Sequence, residues 1–458
     1  MQQDLIYKCS PAGTTIEAVK VLEQEGFRAS IIDAMVACVE RALADGTLNM
    51  QRIDDALERF LTFVLSKKAE NVDYNRDNLH KVARKIAANG TVLLKNSNDV
   101  LPLTQEKYKK IAVVGEYGDV ALSYGQGSAE VFPDDEYVES PLSELKKALP
   151  GVEFVYCKTY EKRSFSDVML WPKVAAFCDS VRDCDVVLMF VGAMESEDTE
   201  NFDRRTIELN ANQEMFIEGA VNAGKKVVVI CQSGSAMAFG KWRHRVHGIL
   251  QMWLGGEAAG GGIADVLTGK VNPSGRLPET FPKKARCDLD TGNGLVVRYT
   301  EGLEVGYRYY DSHTDEIVYP FGFGLSYTSF EYKNASLRRD GENINISFTL
   351  KNIGKTDGAE IVQLYAAKPL SCVTRVPKEL KAFKKVYLNA GEEKTVTFSL
   401  PYKELAYYNT ALGDWVVETG NYKLLIAASS QDIRLSVDFN AEDKIPYTTR
   451  QISEAMIG

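Results

Sequence analysis

Histidine is scarce in this sequence, and long apolar runs are absent. Of its 458 residues only four are histidines: His80, His244, His247 and His313. Two of these lie three positions apart without a third ligand near them, so we expect no metal site. No apolar run approaches the roughly 18 residues that a membrane-spanning helix needs. The first residues also lack the basic segment and apolar core of a signal peptide, so we expect a cytoplasmic chain without a membrane partner.

Paired cysteines and a basic surface are also missing. The eight cysteines are scattered and form no CxxC pair, which favours reduced thiols over disulfides. The net charge is −9, whereas a nucleic-acid-binding protein needs a basic face. We therefore expect no nucleic-acid partner, and this charge places no limit on a neutral substrate such as a sugar.

The glycine-rich loops do not match a nucleotide-binding motif. The loop "SYGQGSAEVFP" (123–133) lacks both the third glycine of a dinucleotide fingerprint and the GKS of a P-loop. No G-x-S-x-G elbow of a serine hydrolase occurs either. We expect no cofactor. A second stretch, "LGGEAAGGG" (254–262), allows close backbone approach, either to a ligand or to the packed sheet.

The N-terminal part has a helical pattern, and the middle of the chain alternates strands with helices. Residues 1–85 are predicted to be a helical segment, in which an apolar stripe at helical spacing follows Asn49, a plausible N-cap. From 86 to 285, continuous β-branched runs alternate with amphipathic helices. This pattern predicts an α/β sandwich, a mostly parallel sheet with helices on both faces. The stripe consists of Ile53, Leu57, Phe60, Leu61 and Val64.

The C-terminal part has the pattern of an antiparallel β domain. After a linker at 286–330, short strands separated by Gly, Asn and Asp turns run from 331 to 440. They predict an all-β sandwich of about seven strands. Residues 441–458 read as a tail.

One acidic loop directly follows the apolar strand "DVVLMFVG". Ligand sites of parallel sheets lie in the loops after the carboxyl ends of strands. Crowded carboxyl groups raise one another's pKa, and a raised pKa suits a general acid. The alternative is a solvated acidic loop without chemistry. The loop holds Glu195, Glu197, Asp198, Glu200 and Asp203, followed by Arg204 and Arg205.

Several long segments resemble glycoside hydrolase family 3, the β-glucosidase and β-xylosidase family. They are "GKVNPSGRLPETFP", "VGYRYYD", "YPFGFGLSYTSFEY", "NGTVLLKNSNDVLPL" and "NFDRRTIELNANQEMFIEGAV". "KNIGKTDGAEIVQLY" and "RVPKELKAFKKVYLNAGEEKTVTFSL" look like the family's fibronectin type III-like domain. The resemblance covers roughly residues 45–440.

The resemblance implies a retaining glycosidase with two carboxylates and a β-linked oligosaccharide or aryl glucoside as substrate. In the family, a loop of the second domain carries the acid/base glutamate. Counting back from "FDR" assigns this role to Glu200, with Glu197 and Glu195 as alternatives.

The resemblance also implies substrate contacts on both loops. In the glycine-rich loop, the arginine that commonly precedes the family's QG is missing. The residues implied to bind substrate are Asp203, Arg204, Gln126 and Ser128.

The family's nucleophile has no counterpart in the sequence. In the family an aspartate in an S/T-D-W motif of a TIM barrel serves as nucleophile, and a barrel needs at least ~200 residues. The one Asp-Trp pair, Asp414–Trp415, belongs to the predicted β domain. Two hypotheses follow. The chain supplies the acid/base half of a β-glucosidase-type enzyme, with a separate barrel chain or self-association completing it. Alternatively, it is an inactive remnant that binds glycan or protein.

Overall fold

The structure, a computed structural model, describes most of the chain in two compact units. The described residues are 27–66, 74–131, 133–159, 170–193, 199–200, 204, 206–286, 296–442 and 446–447. The first unit contains described residues up to Leu79 together with 126–130, and the second contains 80–125 and the described residues from 131 onward.

The first unit is helical, as predicted. It contains α1 (Phe27–Ala44) and α2 (Met50–Ser66). Asn49 accepts a hydrogen bond from the Arg52 backbone N–H at 2.9 Å, which confirms it as the N-cap of α2. None of the α2 side chains is buried, so the apolar face of an amphipathic helix stays uncovered within this unit.

The second unit begins within α3 (Arg76–Gly90) and contains a six-stranded sheet. The strand order is β1-β6-β5-β4-β2-β3, with β1 antiparallel to β6 and all other pairs parallel. The mostly parallel sheet is therefore confirmed. The strands are β1 (Val92–Asn96), β2 (Lys110–Val114), β3 (Glu153–Cys157), β4 (Val186–Gly192), β5 (Lys226–Gln232) and β6 (Gly248–Gln251).

Helices cover both faces of this sheet, which explains the continuous apolar strands. Val186, Leu188 and Phe190 pack into one core, and the alternating residues Val187 and Met189 pack into the other. The first core contains side chains of α3, α4 (Pro141–Ala148) and α7 (Ala259–Leu267). The second contains side chains of α5 (Leu170–Ser180) and α6 (Ala211–Asn222).

The glycine-rich start of α7 packs against the chain itself. A Cβ at Gly260 would lie 2.4 Å from the Glu139 carbonyl oxygen, so only glycine allows this approach. Of the two explanations open for "LGGEAAGGG", close packing therefore accounts for this position.

Short elements lead from the α/β domain to the β domain. They are β7 (Phe281–Pro282), α8 (Tyr307–Tyr310) and β8 (Ile317–Tyr319), with β7 pairing antiparallel to β8.

The β domain is a sandwich of seven strands, the predicted number. One sheet has the order β13-β10-β9 and the other β12-β11-β16-β17. An additional hairpin, β14 (Tyr407–Asn409) and β15 (Asp414–Val416), pairs with β18 (Pro446–Tyr447). The sandwich strands are β9 (Phe330–Asp340), β10 (Asn343–Asn352), β11 (Gly358–Ala367), β12 (Glu379–Leu388), β13 (Glu393–Pro401), β16 (Gly420–Ser429) and β17 (Asp432–Ala441).

Within the described residues, six cysteines carry free thiols. None of the described helices is both long and apolar enough to cross a membrane. Among the residues that the structure describes, no group of three or more His, Cys, Asp or Glu side chains could hold a metal ion.

Candidate active site

The acidic loop leaves the carboxyl end of β4, between the ends of β2 and β5. Gly192 lies so close to β5 that a Cβ there would fall 1.9 Å from the Gln232 carbonyl oxygen. The Ala193 N–H donates to that same oxygen at 3.1 Å, and the Tyr117 hydroxyl donates to the Ala193 carbonyl at 2.7 Å. The start of the loop is thus held by hydrogen bonds on both sides, one to the backbone of β5 and one from the Tyr117 side chain.

The end of the loop is fixed on the segment that follows β5. Arg204 Nη1 donates to Ser235 Oγ at 2.7 Å, and its Nη2 lies 2.9 Å from Met237 Sδ. The Ala238 N–H donates to the Ile207 carbonyl at 2.7 Å. Both ends of the loop are therefore attached to β5 or its extension, at the carboxyl edge of the sheet.

Two buried glutamines connect the strand ends beneath this edge. Gln232 Oε1 accepts the Leu122 N–H at 2.8 Å, which joins the glycine-rich loop to β5. Gln251 Nε2 donates to Ser233 Oγ at 3.0 Å, while its Oε1 has no hydrogen-bond partner among the described residues. An amide that ends an apolar strand, as in "VVVICQS" and "GILQMW", is a sequence signal for such a layer, and sequence reasoning missed it.

A further carboxyl group supports this segment. Glu279, in the motif "RLPETFP", accepts the Ala236 N–H at 2.8 Å. Burial raises the pKa of Glu279, although this hydrogen bond and the charge of Arg204 oppose the shift. Sequence reasoning quoted the motif but gave Glu279 no role, since no local pattern connects it to a loop so far away in the chain.

The predicted site residues fall into three groups. Glu200 is exposed on the acidic loop, and Arg204 is half-buried at its end. Gln126 directly precedes a short 3₁₀ helix, Gly127–Ala129, of the first compact unit. Ser128 lies within this helix and is exposed. The remaining three lie outside the described residues: Glu195, Glu197 and Asp203.

Comparison with known families matches both domains. The family model described as "Glycosyl hydrolase family 3 C-terminal domain" matches residues 91–327, and the "Fibronectin type III-like domain" model matches 360–430. The first match continues through the region that the sequence pattern predicts to be a linker. A third model, "Pyrroline-5-carboxylate reductase dimerisation", matches residues 6–44, of which 27–44 are described and form α1.

The most informative relatives are glycosidases. β-Glucosidase B of Acetivibrio thermocellus is 41% identical over 426 residues, covering 89% of this chain and 55% of the relative. An exo-α-(1→6)-L-arabinopyranosidase of Bifidobacterium breve is 33% identical, covering 86% of this chain and 54% of the relative. The chain thus spans about half the length of the curated relatives it matches.

Comparison with solved structures also finds β-glucosidases. The Bifidobacterium adolescentis family 3 β-glucosidase superposes with a TM-score of 0.79 at 33% identity, covering 89% of this chain and 60% of that one. β-Glucosidase 3B of Thermotoga neapolitana gives 0.75 at 30% identity, covering 90% and 62%.

Fold, acidic loop and similarities together define a glycosidase-type α/β domain followed by a fibronectin type III-like sandwich. The chain belongs to glycoside hydrolase family 3.

Proposed function

We propose that this chain supplies the acid/base half of a retaining β-glucosidase-type active site, with Glu200 as the acid/base residue. A loop fixed at both ends on the carboxyl edge of a parallel sheet, carrying an exposed glutamate, is the observation that carries the proposal. Its substrate is a β-linked oligosaccharide or aryl β-glucoside.

In the proposed mechanism Glu200 acts twice. It first protonates the glycosidic oxygen as the bond to the leaving group breaks, and a nucleophilic carboxylate bonds to the anomeric carbon. It then takes a proton from the water that releases the sugar. The two carboxyl groups of retaining enzymes are about 5–5.5 Å apart, so the nucleophile must approach the exposed face of this loop.

The environment that suits Glu200 to acid catalysis is created only in the assembled enzyme. Here Glu200 is exposed. A sugar and a second domain bound over Glu200 exclude water from its carboxyl group, and a nearby carboxylate adds a like charge next to it. Both effects raise a carboxyl pKa toward the value that a general acid needs near neutral pH.

The nucleophile, in this proposal, comes from a barrel domain in the same polypeptide or in another chain. The exposed apolar stripe of α2 supports such a partner. Phe60 is 63% exposed and Leu57 50% exposed, a pattern that amphipathic helices bury against a neighbouring element. Self-association through this stripe is the competing outcome of the test below.

The test combines this chain with the part of the Acetivibrio relative that lies outside the matched region. We expect no release of glucose from cellobiose by the chain alone and measurable release by the mixture. Glu200→Gln should lower cellobiose turnover by about 10²–10⁴, the usual contribution of a general acid. Turnover of 2,4-dinitrophenyl β-glucoside should fall less, because dinitrophenolate leaves without a proton.

Glu342→Gln, an exposed glutamate in the β9–β10 turn, is the matched control and should retain full turnover. Turnover by the chain alone would contradict the missing nucleophile. Rescue that survives Glu200→Gln would move the acid/base assignment to Glu197 or Glu195. Size-exclusion chromatography with light scattering distinguishes a complex with the barrel from self-association, which would leave no turnover in the mixture.

A further inference from the structure

A cleft of about 760 Å³ opens on the β domain. It is lined by the hairpin β14–β15, by the segment 373–376 before β12, and by Leu303 and Arg308 before and within α8. Its volume lies within the range of about 300–1,000 Å³ that is usual for ligand pockets. None of the described residues of the loop that carries Glu200 contributes to it.

One wall of the cleft is aromatic. Tyr408 lies directly opposite Trp415 in the hairpin, with ring centroids 5.7 Å apart and the planes at 73°. Tyr408 is 47% exposed, and Tyr407 adds a third ring. The negative face of an aromatic ring attracts the weakly positive C–H groups on the flat face of a pyranose, so such a wall fits a sugar ring.

Arg375 lines another wall of the cleft. The guanidinium of Arg375 lies 4.9 Å from the Tyr407 ring, and its side chain is only 13% exposed. Its Nε and Nη2 atoms have no hydrogen-bond partner in the part of the chain that the structure describes. Both atoms are buried, and burying a donor without an acceptor costs about 1–3 kcal/mol, so a small rotation of the side chain that brings them to a ligand hydroxyl oxygen is favoured.

Each of the two arginines that line the cleft has a carboxylate neighbour. Arg375 Nε lies 3.6 Å from Glu418 Oε2, and Arg308 Nη2 lies 3.6 Å from Glu379 Oε1. Both distances are too long for a hydrogen bond. Glu379 also pairs with Lys381 at 3.2 Å, so it compensates the charge of Arg308 only in part. The carboxylates beside both arginines repel a phosphate or carboxylate ligand, whereas a neutral polyhydroxylated ligand meets no such repulsion.

We propose that this cleft is a second carbohydrate site, which binds a neutral β-linked oligosaccharide between the aromatic wall and Arg375. The neutral polyhydroxylated character of the ligand follows from the cleft, and the β-linked glucan rests on the proposed function. Such a site keeps an oligomeric substrate on the enzyme between catalytic encounters.

Isothermal titration of the purified chain with cellotetraose tests the site. We expect binding in the millimolar range, and at least tenfold weaker binding by Tyr408→Ala and by Arg375→Gln. Tyr408 is an exposed surface residue, so its variant keeps the fold even if the arginine variant does not. Phe383→Ala removes an aromatic ring that is also exposed but lies outside the cleft, and this variant should bind as the unmodified chain does.

Absence of cellotetraose binding, or equal binding by the Tyr408 and Phe383 variants, would overturn the proposal. Tighter binding of a tetrasaccharide of glucuronate would overturn the neutral-ligand assignment. The titration is repeated on Glu200→Gln without any barrel domain. Binding there, combined with unchanged turnover of Glu200→Gln in the reconstitution, would separate failure of the catalytic proposal from failure of this one.

Discussion

Glu279 shows how a single carboxyl group supports a loop from a distant part of the chain. It accepts the Ala236 N–H, and Ala236 adjoins Ser235 and Met237, the two residues that contact Arg204. The group is thus a positioning residue for the end of the acidic loop. Its effect on the reaction would pass through Arg204 and not through the substrate.

Removing this carboxyl group should loosen the segment. Glu279→Ala leaves the Ala236 N–H without its acceptor, which we expect to lower the free energy of unfolding by about 1–3 kcal/mol in urea titrations. Glu279→Gln keeps an acceptor oxygen and should recover most of this loss. In the reconstituted enzyme, Glu279→Ala should lower kcat for cellobiose while KM changes little.

Glu218→Gln alters an exposed glutamate on α6 and should stay within about 0.5 kcal/mol of the original stability. If the alanine and glutamine variants of Glu279 behave alike, the hydrogen bond to Ala236 has no positioning role.

At the scale of elements, charged side chains of α3 form ion pairs with α7, with α4 and with the segment before α4. Arg84 makes two hydrogen bonds of 2.8 Å to Asp265 on α7, and also contacts Glu144 on α4 at 2.7 Å. His80, one turn earlier, lies 3.1 Å from Glu139 and 3.1 Å from Glu257. These side chains hold the helix together with Ala87 and Ala88, which pack into the first core.

The stabilisation that His80 contributes should depend on pH. Burial by itself would lower the pKa of His80, but the hydrogen bonds to Glu257 and Glu139 outweigh it and raise the pKa above the ordinary 6.5. The stabilisation is therefore complete below about pH 6.5 and is lost as pH rises through the folded-state pKa. Arg84 stays charged throughout, so its ion pairs do not contribute to this change.

We expect the stability difference between the unmodified chain and His80→Gln to be on the order of 1 kcal/mol at pH 6 and to shrink by pH 8.5. Urea unfolding of both proteins across this range measures it, and taking the difference cancels the other titrating groups. A difference that grows with pH would show that His80 is held neutral.

At the scale of the whole second unit, one buried ion pair joins the two domains. Arg276, in the α/β domain, lies 2.7 Å from Glu360 on β11, and Tyr332 on β9 donates to the same carboxylate at 2.9 Å. Their charged side chains are 6% and 5% exposed, so each depends on the other for compensation. Burial raises the pKa of Glu360, against the charge of Arg276.

Breaking this pair should uncouple the domains. Arg276→Met leaves a buried carboxylate uncompensated, which commonly costs about 3–5 kcal/mol. We expect calorimetry to show separate transitions for the α/β domain and the sandwich. Adding Glu360→Gln to the same variant should restore part of the loss.

Lys423→Met breaks an exposed pair with Asp438 and should cost no more than about 1 kcal/mol. A single unshifted transition in Arg276→Met would mean that apolar packing alone couples the domains.

Local pattern was sufficient for most of the architecture. The alternation of apolar runs predicted both the parallel sheet and the seven-stranded sandwich, because burial along a strand or helix repeats with a fixed period that neighbouring residues show. Strand β9 was missed, since it begins inside the motif "YPFGFGLSYTSFEY", which was interpreted only as a family signature. The linker prediction missed β8 because three residues carry too little periodicity.

The sequence by itself determined the fold class, the order of the elements, the family resemblance and the choice of Glu200, which depends only on its spacing from "FDR". Only the tertiary structure decided that Glu279 supports the segment contacting Arg204, that Gln232 and Gln251 connect the strand ends, and that Arg375 meets the β14–β15 hairpin in a cleft. These contacts join residues far apart in the chain. They depend on how the helices and strands pack against one another after they form, and local periodicity does not predict that packing.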